Sequence, residues 1–171
     1  MKFFHFFLLF LFISFNAQSN EQNNIRFIDL DYIFNNSDVG KKISKNAISS
    51  KKKIDEKSKK LEKNLEKQKN DILAKKNILE AKEFEKLVIS HQKNVQEYQL
   101  DKGKSLKDLS TKNLEVTKNF MKKVDNILLQ YASDNNIDII LNKKNLIVSN
   151  STFDISKDIL EIVNKKIKKI D

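Results

Sequence analysis

Two long runs of the chain place apolar residues at alternating steps of four and three. In the first, Ile54, Ser58, Leu61, Leu65, Gln68, Ile72, Lys75 and Leu79 mark one face, and five of the eight are apolar. In the second, Phe84, Val88, His91, Val95, Tyr98, Lys102, Ser105, Leu109, Asn113, Val116 and Phe120 repeat the spacing. Val124, Ile127 and Tyr131 continue it after one shifted step. Lys, Glu, Asp, Asn and Ser dominate between these positions. Such a leaky heptad seam predicts helices that pair lengthwise. The first, from Asp38 to about Asn77, would be ~60 Å long at ~1.5 Å per residue. No strong breaker separates the runs. The fold-back is placed at 75–82 because two seams must face each other. Ser133-Asp134-Asn135-Asn136 stops the second helix. Gly103 lies inside that helix, where it costs about 1 kcal/mol relative to Ala.

The flanking segments read differently. Ile25–Phe34 is rich in β-branched and aromatic residues, and its first half predicts a strand ending near Leu30. Asp31–Phe34 is read as a short helical turn. Asn35-Asn36-Ser37-Asp38 supplies turn and N-cap residues. Ile137–Leu141 predicts a second strand, Asn142–Asn145 a polar turn, and Leu146–Ser149 a returning third strand. Ser156 is expected to cap a last helix with an apolar stripe of Ile159, Leu160, Ile162 (or Val163) and Ile167. Its closing lysines, 165, 166, 168 and 169, suit a helix C-terminus. The expected fold class is α+β, predominantly α: a small β body of three short strands, a long antiparallel helical hairpin and a short C-terminal helix. The segments are 20–37 and 135–171 for the body and 38–134 for the hairpin.

The first nineteen residues stand apart. Lys2 precedes an apolar run from Phe3 to about Phe15 that holds seven of the chain's twelve Phe. A bilayer span needs about 20 apolar residues, so the run is too short to cross. It has the length of a signal-peptide core, and Ala17-Gln18-Ser19 offers a cleavage site. Residues 1–19 are therefore expected to direct export, and the expected location is the periplasm.

Composition narrows the function classes. The 171 residues include no Cys, no Pro and only two His, His5 and His91. Thiol chemistry, Cys-zinc sites and a Ser/His/Asp triad have no material, and no metal or cofactor is expected. Neither Glu83/Glu85 nor Asp29/Asp31 has an acid–base setting, and no glycine-rich phosphate loop exists. The chain does not read as an enzyme. The net charge is +10, yet the only Arg is Arg26. Arg is the side chain suited to bidentate base and phosphate recognition. Its scarcity and the export signal argue against nucleic acid.

Three short strands make a marginal body on their own, and the helical seams suffice for little beyond pairing with each other. The protomer is thus expected to oligomerise through Ile25, Phe27, Ile28, Leu30, Ile137, Ile139, Ile140, Leu141, Leu146 and Val148.

The layout and two local strings resemble the Skp family of OmpH-like periplasmic chaperones. Ile33-Phe34 and Gly40-Lys41 stand where that family has an "IF" or "VF" pair and a Gly-Lys opening the first long helix. Ile137–Leu141, Leu146–Val148, Asp154-Ile155-Ser156 and Ile159-Leu160 match its closing segments. The resemblance implies a jellyfish-like homotrimer with helical tentacles around a cavity. It implies ATP-independent holding of unfolded outer-membrane β-barrel proteins before membrane insertion. The heavy Lys and thin Arg content depart from the family pattern, so no arginine-based lipopolysaccharide site is carried over.

Near the hairpin tip, Leu73, Ile78 and Leu87 are candidate client contacts, with Lys75 and Lys76 as charged neighbours. Leu79, Phe84, Val88 and His91 are assigned to ordinary hairpin packing. Contact with anionic lipid or lipopolysaccharide is a further candidate role of the Lys clusters at 51–53, 59–60, 75–76 and 122–123. The competing readings are a structural coiled-coil envelope protein, a basic binder of anionic lipid surfaces, and a prefoldin-like chaperone.

Overall fold

The computed structural model describes residues 24–170. The export segment expected at 1–19 lies outside the described residues. Strand β1 (Ile25–Ile28) is followed by helix α1 (Leu30–Asn36), then by two long helices, α2 (Asp38–Ala74) and α3 (Ala81–Asp134). Strand β2 (Ile139–Asn142), two 3₁₀ turns (Lys143–Asn145 and Ser151–Phe153) and helix α4 (Ser156–Lys166) complete the chain.

Local chemistry sets each boundary. The Asp29 side chain accepts from the Tyr32 N–H at 2.8 Å and caps α1. Ser37 closes α1 through its N–H to the Ile33 carbonyl and opens α2, accepting from the Gly40 N–H at 3.1 Å. One buried residue therefore serves two helix ends. α3 ends with Asn136 in the left-handed region at φ 51°. The Ile137 N–H then donates to the Ala132 carbonyl at 2.9 Å. That six-to-one bond satisfies a carbonyl the helix would leave open.

The core sits where the hairpin meets the body. Ile33, Phe120, Val124, Ile159 and Val163 are fully buried there, joined by Ile28, Val39, Ile43, Ile127, Ile155 and Ile167. The Phe34 and Phe120 rings meet edge to face at 5.7 Å, the geometry their quadrupoles favour. The second seam thus pairs with α2 over most of its length, and its last turns anchor the body.

The β part differs from the expected three-stranded arrangement. β1 and β2 pair in parallel, with Ile25 opposite Ile139 and Phe27 opposite Leu141. On its other edge β1 meets Asp154 in a single bridge, and the Ile155 N–H donates to the Phe27 carbonyl at 3.0 Å. Leu146–Ser149, expected to return along β2 as a third strand, forms no strand: Ile147 is fully exposed and Val148 is 89 % exposed. The physical reason is the 3₁₀ turn. Asn142 caps it by accepting from the Lys144 N–H at 3.1 Å. Lys143 then reaches Asp29 at 3.7 Å and Asp154 at 3.8 Å. The chain is led away from β2 instead of doubling back along it.

Two smaller corrections follow. Leu30 opens α1 rather than closing a strand, and packs half-buried against the core. Ser156 is the first residue of α4, not its cap; Ile155 holds the cap position, and the Asp154 carboxylate before it accepts from the Ser156 N–H at 2.9 Å. The Ser156 hydroxyl instead accepts from the Asp29 N–H at 2.8 Å, tying α4 to the start of α1.

Candidate functional site: the surface of the helical hairpin

α2 and α3 run antiparallel, with 37 and 54 residues. Their turn occupies 75–80. Polar pairs mark the register. His91 Nδ1 lies 3.1 Å from Gln68 Oε1, and the Asn94 amide donates to the same oxygen at 3.3 Å. One step nearer the body, Glu62 accepts from the Tyr98 hydroxyl and from Lys102, the latter at 3.0 Å. Lys102 also stands 5.6 Å from the Tyr98 ring centre. The Tyr98 hydrogen bond, then Lys102, hold the Glu62 carboxyl below its usual range. Tyr98 first, and then Glu62, raise the Lys102 ammonium above its ordinary value. Of these, Gln68, His91, Tyr98 and Lys102 fill seam positions that a drier coiled coil would give to Leu or Ile.

The seam leaves two grooves near the tip. One, of about 770 Å³, runs between Leu61, Leu65 and Ile72 on α2 and Leu87 and Tyr98 on α3, with Lys75 at its end. The other, of about 220 Å³, is bordered by Lys69, Leu73, Phe84, Val88 and His91. Ile72 is shared by both. The five residues expected at the tip are thus divided. Leu87 and Lys75 line the larger groove, and Leu73, 54 % exposed, lines the smaller. Ile78 is 78 % exposed in the turn itself, and Lys76 borders neither groove.

A second feature escaped the four-three reading. Ile89, Leu100, Leu114 and Leu129 on α3 are each more than half exposed. Their separations of 11, 14 and 15 residues are close to whole numbers of helical turns. At about 100° per residue they fall within a sector of about 60°. His91, Tyr98 and Lys102 face α2 through the contacts above, so this stripe occupies the side of α3 turned away from α2. It extends ~60 Å at ~1.5 Å per residue. The signal is present in the sequence as an out-of-phase spacing, and reading only the seam passes over it.

The body presents its own exposed apolar face. Alternation along the two strands sends Ile28 and Ile140 to the core and places Ile25, Phe27, Ile139 and Leu141 on the opposite face. Phe27 is buried there, while Ile25, Ile139 and Leu141 remain exposed. Leu146 is half-buried beyond the turn, and Ile137 is buried just ahead of β2. Among the described residues, no helix is long and apolar enough to cross a membrane.

A short parallel β pair bearing a long antiparallel helical hairpin, closed by a C-terminal helix, defines a tentacled α+β protein. The sequence matches the family described as outer membrane protein (OmpH-like) over residues 24–163. The chain belongs to the OmpH-like family. Its fold is similar to the crystal structure of a candidate outer membrane chaperone (OmpH-like) from Caulobacter crescentus CB15, with a TM-score of 0.80. That match covers 86 % of this chain and 88 % of the other at 13 % identity. No curated protein matches the sequence.

Proposed function

We propose that the protein is an ATP-independent periplasmic holdase that keeps unfolded outer-membrane β-barrel proteins from aggregating. The observation carrying this reading is the α3 stripe of Ile89, Leu100, Leu114 and Leu129. Its members stand ~16–22 Å apart at ~1.5 Å per residue, far wider than the continuous seam a partner helix needs. Each offers a small apolar foothold within a Lys-rich surface. Many weak, separated footholds suit an extended chain with no fixed sequence. They also permit release by handover, without nucleotide hydrolysis. The two tip grooves, with Leu73, Leu87, Ile78, Lys75 and Lys76, supply further contacts of the same mixed character.

The working unit in this reading is a homotrimer built on the exposed sheet face of Ile25, Ile139 and Leu141. Two-stranded sheets are marginal alone, and Ile147 and Val148 are available to extend the β body across subunits. The hairpins then enclose a shared client cavity.

The test is dilution of a urea-unfolded outer-membrane β-barrel into buffer with the purified protein, followed by light scattering without ATP. Suppression near one trimer per client is the expected result. Unchanged aggregation at several-fold excess, with the oligomer intact, would favour a structural coiled-coil envelope protein instead.

A further inference from the structure

At the carboxyl ends of the two strands, polar groups from separate segments close into a ring. Asp29 follows β1, Lys143 follows β2, Asp154 lies just before α4 and Ser156 opens it. The Asp29 carboxylate offers one oxygen to the Tyr32 N–H and the other to Lys143 at 3.7 Å. The Asp154 carboxylate offers one oxygen to the Ser156 N–H and hydroxyl, and the other to Lys143 at 3.8 Å. The Asp29 N–H donates to the Ser156 hydroxyl oxygen and completes the circuit. Exposed ion pairs contribute little singly. Here the two carboxylates are only 32 % and 26 % exposed, and each is already held by a helix start. Lys143 alone gives up side-chain freedom to join them.

Two placements compete for the segment that follows. A polar turn at Asn142–Asn145 and the apolar run Leu146–Val148 favour a hairpin on β2. The edge of β2 away from β1 pairs with no strand among the described residues. Its N–H and C=O groups are open to a new strand. A return through that turn would set Leu146 against Leu141 and Val148 against Ile139. The ring works against this return. Asp29 continues β1, and Asp154 bridges to Phe27 on the far side of β1. Tying Lys143 to both draws the chain across the end of the sheet, away from the open edge of β2. The turn residues wind into the 3₁₀ turn Lys143–Asn145, and Ile147 and Val148 are left in solvent.

We propose that Lys143 is a positioning residue that selects between these two placements. Clipped to Asp29 and Asp154, it keeps the β2 edge and Ile147–Val148 open to a second copy of the chain. Released, the segment doubles back on β2 and closes that edge within one chain. The effect of Lys143 on assembly depends on the trimeric reading above; its hold on the segment does not.

The chain has no cysteine, so an introduced pair reports the placement directly. Ile139→Cys and Val148→Cys are combined in the otherwise unchanged protein, with Lys143→Met and with Lys143→Arg. Facing residues of an antiparallel pair have Cα atoms about 4.5–5.5 Å apart, within reach of a disulfide. The three proteins are equilibrated in a glutathione redox buffer and resolved on denaturing gels, where intrachain and interchain bonds migrate differently. The intrachain bond should form roughly threefold or more in excess with Lys143→Met, while Lys143→Arg stays near the unchanged protein. Equal intrachain yields in all three would overturn the proposal. A lower yield with Lys143→Met would also overturn it, since a lysine that only stiffens the body predicts that result. Unchanged helical circular dichroism keeps the comparison clear of unfolding. Sedimentation of the cysteine-free protein with and without Lys143→Met tests the assembly effect, and a shift toward monomer is expected. A variant that stays trimeric while its intrachain yield rises would overturn that effect. If the unchanged protein is itself monomeric, the trimeric reading fails, and the gel still decides whether Lys143 holds the segment.

Discussion

Gly40 lies directly against the Phe34 carbonyl: a Cβ added at Gly40 would stand 1.9 Å from that oxygen and 2.8 Å from the Ser37 hydroxyl oxygen. The approach exists because α1 ends and α2 begins at a single residue, Ser37. The chain therefore folds back on itself within one turn. Gly40→Ala should gain about 1 kcal/mol of helix propensity, but the clash falls on backbone that cannot swing aside. The expected result is a net loss of about 1–3 kcal/mol, the usual cost of overpacking. Urea unfolding followed by circular dichroism measures it. A variant as stable as the wild type would show that the α1–α2 corner yields freely.

Gly103 provides the opposite case. It sits in the interior of α3, exposed, and a Cβ there would meet nothing within 4 Å. Gly103→Ala should stabilise the protein by up to about 1 kcal/mol through helix propensity and a less flexible unfolded chain. A rise in thermal midpoint is the expected readout. A fall would mean that the position needs close approach or bending that the protomer does not reveal.

The Glu62–Tyr98–Lys102 cluster makes the hairpin sensitive to acid. The Glu62 carboxyl is held below its usual range, first by the Tyr98 hydroxyl and then by Lys102. A carboxyl with a lowered folded value binds its proton more weakly in the folded state than in the unfolded one. Its contribution is therefore complete above the unfolded value, about 4.3 for a free Glu. It is lost as pH falls through the lowered value. Glu62→Gln should accordingly narrow the difference in melting temperature between pH 6 and pH 3, as read by circular dichroism. Both groups are surface-accessible, so the effect should be modest and weaken with salt. An identical pH dependence in the variant would show that the cluster does not stabilise the hairpin.

The long helices are legible in the sequence because their seam is periodic and nothing interrupts it. Even with Ser58, Gln68, His91 and Lys102 on the seam, four-three spacing carries through more than ten turns. The pairing of the strands is not legible. Ile25 and Ile139 are brought together only after the whole hairpin has gone out and returned, and no local pattern records that closure. Local turn chemistry also misleads at Asn142–Asn145, where a polar segment between two apolar runs suggests a β-hairpin. The Lys143 contacts to Asp29 and Asp154 that redirect the chain are long-range. Candidate surface residues are the least legible of all. Leu73 and Leu87 are close in sequence and lie off the seam, yet Ile72 stands between the grooves they line. The α3 stripe is hidden for a related reason: its members are so widely spaced that a short window never contains two.

In the trimeric reading proposed above, Ile147 and Val148 separate the fold of one chain from its assembly. Both are almost wholly exposed, Ile147 fully and Val148 at 89 %. Neither belongs to the core cluster or the residues packed on it. Two adjacent bare β-branched residues beside a two-stranded sheet stabilise nothing within one chain. Burying such side chains against a second subunit would contribute about 1.5–3 kcal/mol each. Replacing both with Asp should therefore leave the helical circular dichroism unchanged. In the trimeric reading, the same change should shift sedimentation at micromolar concentration toward the monomer. The double variant also separates two ways in which aggregation suppression could fail. A protein that stays trimeric and stops holding clients has lost a contact surface. One that becomes monomeric has lost the cavity the hairpins share. If the variant remains trimeric and fully active, the segment lies outside the interface, and the sheet face of Ile25, Ile139 and Leu141 must bring the subunits together without it.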